Sequence, residues 1–190
     1  MTFGVDPIGG IEPVGDTEVV ILDSLGRPAG SADKMDAHQP PGRFHMAISV
    51  FIRDRQGRHL LQRRASTKYH FPGCWANTCC GHPLPGEPAS EAAHRRLAQE
   101  MRIQAELTVI GSFDYRARDP VNGLVEHERD QLFVGVVDGD PDPDPAEVEE
   151  WNWVDPIELP TQIAADPGTY APWLVIALLA FPDLTAAPSG

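Results

Sequence analysis

Residues 44–53 constrain the fold most. Phe44, Met46, Ile48, Val50 and Ile52 alternate with His45, Ala47, Ser49 and Phe51, a period of two that a β-strand resolves into two faces. One face reads as core. The other opens on an imidazole and continues with two small residues, which leaves room for a ligand beside a polar group. Arg55-Gln56-Gly57-Arg58 turns the chain back into His59–Arg64, the expected hairpin partner.

The rest of the chain alternates in kind. Residues 17–23 are a short β-branched run that ends at the Gly26-Arg27-Pro28 turn, and 31–43 are polar, broken by proline, and expected to be loop. Residues 88–101 predict a helix: Pro88 suits a first turn, Ser90 or Glu87 is the candidate cap, and Ala92, Ala93, Leu97 and Met101 form an apolar stripe. Residues 106–115 and 124–137 read as strands, with 150–154 a further short one. Residues 156–165 and Pro172–Ala180 read as helices. Strands, helix, strands, helices in that order favour an α+β fold with a mixed sheet over a doubly wound one. The expected organisation is a loose lead at 1–16, one domain at 17–182 and a tail at 183–190.

The net charge of −13 argues against a nucleic-acid binder, which usually carries a basic stripe. It does not argue against an anionic small substrate, because a local basic pocket can outweigh the total. Much of the acid lies at 138–144 and in Glu147, Glu149 and Glu150, and reads as a solvated loop and edge. Cys74, Cys79 and Cys80 are too few and too clustered for a disulfide framework, and the longest apolar run is far short of the roughly 20 residues that span a bilayer. A reduced, cytoplasmic protein without membrane partner is expected, as a monomer or weak homodimer.

Chemistry concentrates in a few places. Glu126 and Glu128 stand two apart in a strand, so they project from one face while His127 points the other way. They fit either an exposed edge with salt bridges or a site where a cation or shared proton relieves their repulsion. His38, His45 and His82 come from three separate segments, and imidazoles with carboxylates suit divalent ions. His59, His70, His94 and His127 read as spare histidines. Cys80 precedes Gly81-His82, where a nearby imidazole or cation would lower its pKa; the alternative is a small buried hydrophobe. Cys79 reads as the structural one of the pair. Arg63, Arg64 and Lys68 flank Ala65-Ser66-Thr67, with Lys34, Arg95 and Arg96 as further cations for a diphosphate.

Gly81, Glu87, Arg95 and Glu100 have the spacing of the Nudix box, G-x5-E-x7-R-E-U-x-E-E-x-G-U, in a degraded form. Arg96 and Gln99 stand where that box has glutamates, and Arg102 where it has glycine. Such a box signals the fold more strongly than it signals hydrolysis.

From about Ile21 to Leu179 the chain resembles the type I isopentenyl-diphosphate Δ-isomerases. The resemblance rests on Lys34-Met35-Asp36-Ala37-His38, Phe44-His45-Met46-Ala47-Ile48-Ser49, Leu61-Gln62-Arg63-Arg64-Ala65-Ser66-Thr67-Lys68, Cys79-Cys80-Gly81-His82-Pro83, Tyr115-Arg116-Ala117, Glu126-His127-Glu128 and Ala171-Pro172-Trp173. It implies a Nudix-like α/β/α sandwich and an isomerase that moves a double bond by protonation and deprotonation. It further implies one divalent ion (Mn²⁺, Zn²⁺ or Mg²⁺) on His38, His45, His82, Glu126 and Glu128, and Mg²⁺ on Glu100 against the substrate diphosphate. By the same resemblance Lys34, Arg64 and Lys68 contact that diphosphate, Cys80 and Glu128 form the acid/base pair, and Tyr115 assists Glu128. For the carbocation of such a reaction the Trp173 ring face is the candidate stabiliser, with helix-packing core as its alternative. The alternatives are a Nudix hydrolase of a diphosphate substrate, in which Cys80 would have no task, and a non-catalytic Nudix-fold binding module.

Overall fold

The computed structural model describes residues 17–186; the lead at 1–16 and the last four residues of the tail lie outside them. In chain order the elements are β1 (Glu18–Leu22), β2 (Pro28–Asp33), α1 (Lys34–His38), β3 (His45–Arg53), β4 (His59–Arg64), β5 (Trp75–Ala76), β6 (Cys79–Gly81), α2 (Ala89–Met101), β7 (Thr108–Arg118), β8 (Val125–Val136), β9 (Val148–Val154), α3 (Leu159–Ala165) and α4 (Pro172–Ala180). Among the described residues no helix is long and apolar enough to cross a membrane.

β3 is the central strand. Along one edge it pairs in parallel with β8 over nine positions, from His45 opposite Glu128 to Arg53 opposite Val136. Its other edge is shared by three antiparallel partners in turn: β1 at His45, β6 from Ile48 to Val50, and β4 at Arg53. β7 pairs with β8, and β9 with β4, so the sheet is mixed. The expected hairpin of β3 with β4 therefore touches at a single pair. β4 gives most of its edge to β9, whose six pairs outweigh the local turn.

Layers on both faces complete a sandwich. Ile48, Val50 and Ile52 pack with Leu60, Phe133 and the α2 stripe Ala92, Ala93, Leu97 and Met101. On the opposite face Phe51, Leu61 and Leu132 pack with Leu159 and Ile163 of α3 and Leu174, Ala177 and Leu178 of α4. β3 is thus buried on both faces, not on one as its alternation suggested, because helices cover each side of the sheet.

Other local expectations needed revision. Residues 31–43, expected to be loop, contain the end of β2 and all of α1; the Asp33 side chain caps that short helix by accepting from the N–H groups of Met35 at 2.8 Å and Asp36 at 3.1 Å. No side chain caps α2: Pro88 holds the cap position, and Glu87 instead accepts from Leu84 N and binds Arg95. Residues 182–185 form a 3₁₀ turn that buries Leu184, so the segment expected to begin the tail is docked. Arg53 donates to the carbonyls of Asp183 and Leu184, and His59 Nε2 donates to Leu184 O at 2.6 Å.

At the end of α2 the chain turns left-handed on Arg102, with φ at 53°. A non-glycine residue there crowds its own Cβ, and the exposed Arg102–Asp142 ion pair offsets little of that cost. Arg102→Gly is expected to raise the urea midpoint, corresponding to ~0.5–1 kcal/mol; an unchanged or lower midpoint would refute strain at this position.

Burial lowers the pKa of His59 from 6.5 to about 4. Between those values the unfolded chain takes up a proton that the folded chain refuses. The contribution is complete above about pH 6.5 and is lost as pH falls toward 4, amounting to ~3 kcal/mol. In His59→Gln the stability lost between pH 7 and 4, read from urea midpoints, is expected to shrink by about that amount. Equal losses in both proteins would exclude His59 as a source of acid lability.

Candidate active site

One lateral row of the sheet builds the centre. Tyr115 on β7 lies opposite Glu128 on β8, and Glu128 opposite His45 on β3. Because β8 is flanked by β3 and β7, Glu126 and Glu128 are not on an exposed edge; both are buried. α1 adds His38 from its last position, and the loop after β6 adds His82. One donor atom from each of His38, His45, His82, Glu126 and Glu128 lies within 4.8 Å of all the others.

The hydrogen bonds show what that cluster needs at its centre. His38 Nδ1 lies 2.6 Å from Lys34 O, and His45 Nδ1 lies 2.7 Å from Arg43 O. A carbonyl only accepts, so each Nδ1 carries a proton and each ring turns its Nε2 inward. There His38 Nε2 meets Glu126 Oε2 at 3.0 Å; His45 Nε2 meets Glu128 Oε1 at 3.2 Å and His82 Nε2 at 3.3 Å. Ring nitrogens and carboxylate oxygens converging in a buried site require protons or a metal cation between them. The donor set, three imidazoles and two carboxylates with second-sphere carbonyls fixing the ring tautomers, fits a divalent ion.

The electrostatics agree. Burial works to raise the Glu126 carboxyl, but His70 and His38 hold it well below the usual range. Burial and the neighbouring Glu126 raise Glu128, yet His45 and His82 keep it below its ordinary value. Burial takes His82 down to about 4, against the pull of Glu128. The second oxygen of Glu128 accepts from Tyr115 OH at 2.6 Å, and burial pushes that phenol well up.

Cys80 stands on β6 opposite Ser49, on the wall of the same cavity. Its thiol is not activated in the way the sequence suggested. Burial drives it up to about 12, and Arg64, whose Nη1 is 3.7 Å from Sγ, offsets only part of that rise. Cys79 is fully buried in the α2 core, consistent with its structural reading.

A second charged group lines the cavity. Glu100, also buried, accepts from Gln62 Nε2 at 2.8 Å and Arg96 Nη2 at 2.8 Å. Arg96 also reaches Glu147 at 3.2 Å, and Lys68 donates to Glu147 at 2.6 Å. Arg95 is bound to Glu87 and the His82 carbonyl. The helix arginines thus serve as ion-pair partners of these acids. Arg64 is buried, donating to His70 O, with its guanidinium 5.3 Å from the Trp173 ring. Trp173 Nε1 donates to Asn77 Oδ1 at 3.1 Å. Lys34 lines the cavity with its Nζ over the Tyr69 ring.

The twelve residues given a role alongside the family resemblance belong to this cavity or to the cluster beside it, whereas of the further candidate cations Arg96 lines the cavity and Arg63 and Arg95 do not, pairing with Glu150 and Glu87. Four participants were missed. Asp130 continues the face of Glu126 and Glu128 and accepts from Ser49 Oγ at 2.7 Å; the period of two on β8 would have flagged it. His70, counted as spare, meets Glu126. Gln62 from β4 and Glu147 from the turn before β9 reach Glu100 and its arginine, so Glu147 is not the solvated edge residue expected from sequence.

Comparison with known proteins follows the same lines. A NUDIX domain matches residues 43–174. The isopentenyl-diphosphate Delta-isomerase of Nocardia farcinica is 49% identical over 160 residues, 84% of this chain and 91% of the relative. That of Streptomyces coelicolor is 46% identical over 168 residues, covering 86% and 84%. Among solved structures, a Deinococcus radiodurans protein superposes with a TM-score of 0.71 at 18% identity, covering 86% of this chain and 99% of that one. A MutT protein from Methanosarcina mazei superposes with 0.57 at 20% identity, covering 75% and 90%. The last two establish the fold. With its NUDIX domain, its sandwich and relatives of this identity over most of its length, the chain belongs to the isopentenyl-diphosphate Delta-isomerase family.

Proposed function

We propose that the cavity interconverts isopentenyl and dimethylallyl diphosphate by adding a proton to the terminal alkene carbon and removing one from C2. The observation that carries this reading is the pairing of Glu128, held by Tyr115 at 2.6 Å, with Cys80 in one buried cavity of about 50 Å³. The intermediate is a tertiary carbocation, which needs an acid and a base in fixed places and no water to trap it.

Cys80 and Glu128 are the two proton-carrying groups. Tyr115 keeps its phenolic proton, so it can relay one onto or off the Glu128 oxygen it touches. Arg64, beside Sγ, stabilises Cys80 whenever it is a thiolate. The indole face of Trp173 is the aromatic surface for the cation, a contact of roughly 0.5–2 kcal/mol; its hydrogen bond to Asn77 fixes the ring plane. Lys34, Arg64 and Lys68 supply positive charge for the diphosphate. Glu100 Oε1 accepts from both Nε and Nη2 of Arg96, while Oε2 accepts from Gln62 Nε2 and retains a second lone pair for a hard cation. When bound, a divalent ion (Mn²⁺, Zn²⁺ or Mg²⁺) on the five-residue cluster supplies fixed positive charge beside Glu128, and Mg²⁺ on Glu100 supplies counter-charge to the diphosphate.

Two observations disfavour hydrolysis. The helix acids that would activate water are replaced by Arg96 and Gln99, and Arg96 spends its charge on Glu100 and Glu147. The three free cysteines fit a reduced, cytoplasmic setting.

The deciding assay is NMR of the protein with isopentenyl diphosphate and Mg²⁺ in deuterated water. Dimethylallyl diphosphate carrying deuterium, without phosphate release, is the expected product. Release of phosphate without isomer would instead indicate a hydrolase, and neither product a binding module. Cys80→Ala and Glu128→Gln are each expected to cut turnover by at least about 100-fold with an unchanged circular dichroism spectrum; near-normal activity in either would remove that residue from the acid/base pair. Chelator-stripped protein is expected to melt lower than protein with Mn²⁺ at 100 times its dissociation constant, by the equivalent of ~2.7 kcal/mol. A melting point insensitive to the metal would count against the cluster as its site.

A further inference from the structure

The two cluster carboxylates are held alike. Each sends one oxygen inward and has the other engaged from behind. For Glu128 the inward atom is Oε1, and Oε2 accepts from Tyr115. For Glu126 the inward atom is Oε2, beside His38, and Oε1 lies 2.6 Å from Nδ1 of His70.

His70 is built into that place. Its ring is 1% exposed and packs against Phe71, with centroids 4.7 Å apart, against Tyr69 and edge-on to His38. The approach to Glu126 is off the hydrogen-bond axis and His70 Nε2 has no hydrogen-bond partner among the described residues, so the packing of neighbouring rings holds Nδ1 against Oε1. Its backbone is pinned too. Arg64 donates to His70 O from Nε at 3.2 Å and Nη2 at 2.9 Å, and Phe71 N donates to Asp119 Oδ2 at 2.8 Å. Phe71 takes φ of 44°, a conformation that bulky side chains rarely adopt. The turn is over-determined by its partners, as strained segments at functional sites are.

We propose that His70 is a positioning residue for the metal cluster, holding Oε1 of Glu126 so that Oε2 faces the centre beside His38. This rests on the reading that the cluster binds a divalent ion. A carboxylate free to rotate would present either oxygen or turn away, and groups behind a ligand typically change metal affinity by about 10–100-fold.

The test is Mn²⁺ titration of chelator-stripped protein, followed by electron paramagnetic resonance of free Mn²⁺, with apoprotein melting recorded alongside. His70→Phe, which keeps the ring packing and removes the nitrogens, is expected to weaken Mn²⁺ binding by about 10–100-fold. His70→Asn, whose amide can stand near Nδ1, is expected to restore most of that loss. In a Glu126→Gln background His70→Phe is expected to have less than about a twofold further effect, since its partner is gone. A role in packing alone would move the melting point and leave Mn²⁺ affinity within about twofold, which would overturn the inference, as would an equal loss in both backgrounds. Should His70→Phe not fold, His70→Ala is read by the same criteria. Wild-type protein that binds no Mn²⁺ would overturn the metal reading itself; wild-type binding with an indifferent His70 variant overturns only this assignment.

Discussion

The parallel pairing of β3 with β8 is the interaction on which the rest depends. Nine consecutive pairs lock His45 to the level of Glu128, and a slip of one residue would turn Glu126, Glu128 and Asp130 to the opposite face. The pairing is long-range, so it is supported by the two helical layers that bury β3 on both faces. On the other edge β3 is passed from β1 to β6 to β4. That division brings the short Cys79–Gly81 strand against Ser49 and lets a thiol and an imidazole enter a cavity floored by the sheet.

Around that frame a chain of net charge −13 gathers buried charges of both signs. Unpaired, each would cost several kcal/mol. The structure distributes them into two sets. Glu126 and Glu128 are set against imidazoles, whose tautomers are fixed by the backbone carbonyls of Lys34 and Arg43. Glu100 and Glu147 are set against Arg96, with Lys68 on Glu147. Cys80 lies on the cavity wall with Arg64 as its cation, and stays a neutral thiol because burial outweighs that single guanidinium.

The degraded box on α2 acquires a physical meaning in this arrangement. Arg96, where the box has a glutamate, is buried and makes an i,i+4 pair with the surviving Glu100. A helix end that ordinarily calls for glycine is kept on Arg102, in the same left-handed conformation. The loop-helix geometry therefore persists although much of its acid is gone. Beside it, β8 presents two buried acids, Glu126 and Glu128, two residues apart.

Local patterns sufficed for much of this. Alternation marked β3, spacing marked α2, and the loop of Cys80 and His82 announced chemistry, because strand and helix periods and turn residues act over a few positions. The quoted segments of the family resemblance hold eleven residues that converge on the cavity, and the box spacing adds Glu100. Only the tertiary structure decided that β4 leaves β3 for β9, that residues 31–33 are strand and Lys34–His38 helix, and that His70 joins Glu126 while His94 stays at the surface of α2. The cluster's contacts join residues 37 to 88 positions apart, and no local pattern reports which of seven histidines such a contact will select. The state of Cys80 was decided in the same way: its neighbours in sequence suggested an activated thiol, and burial, which the whole fold creates, made it a neutral one.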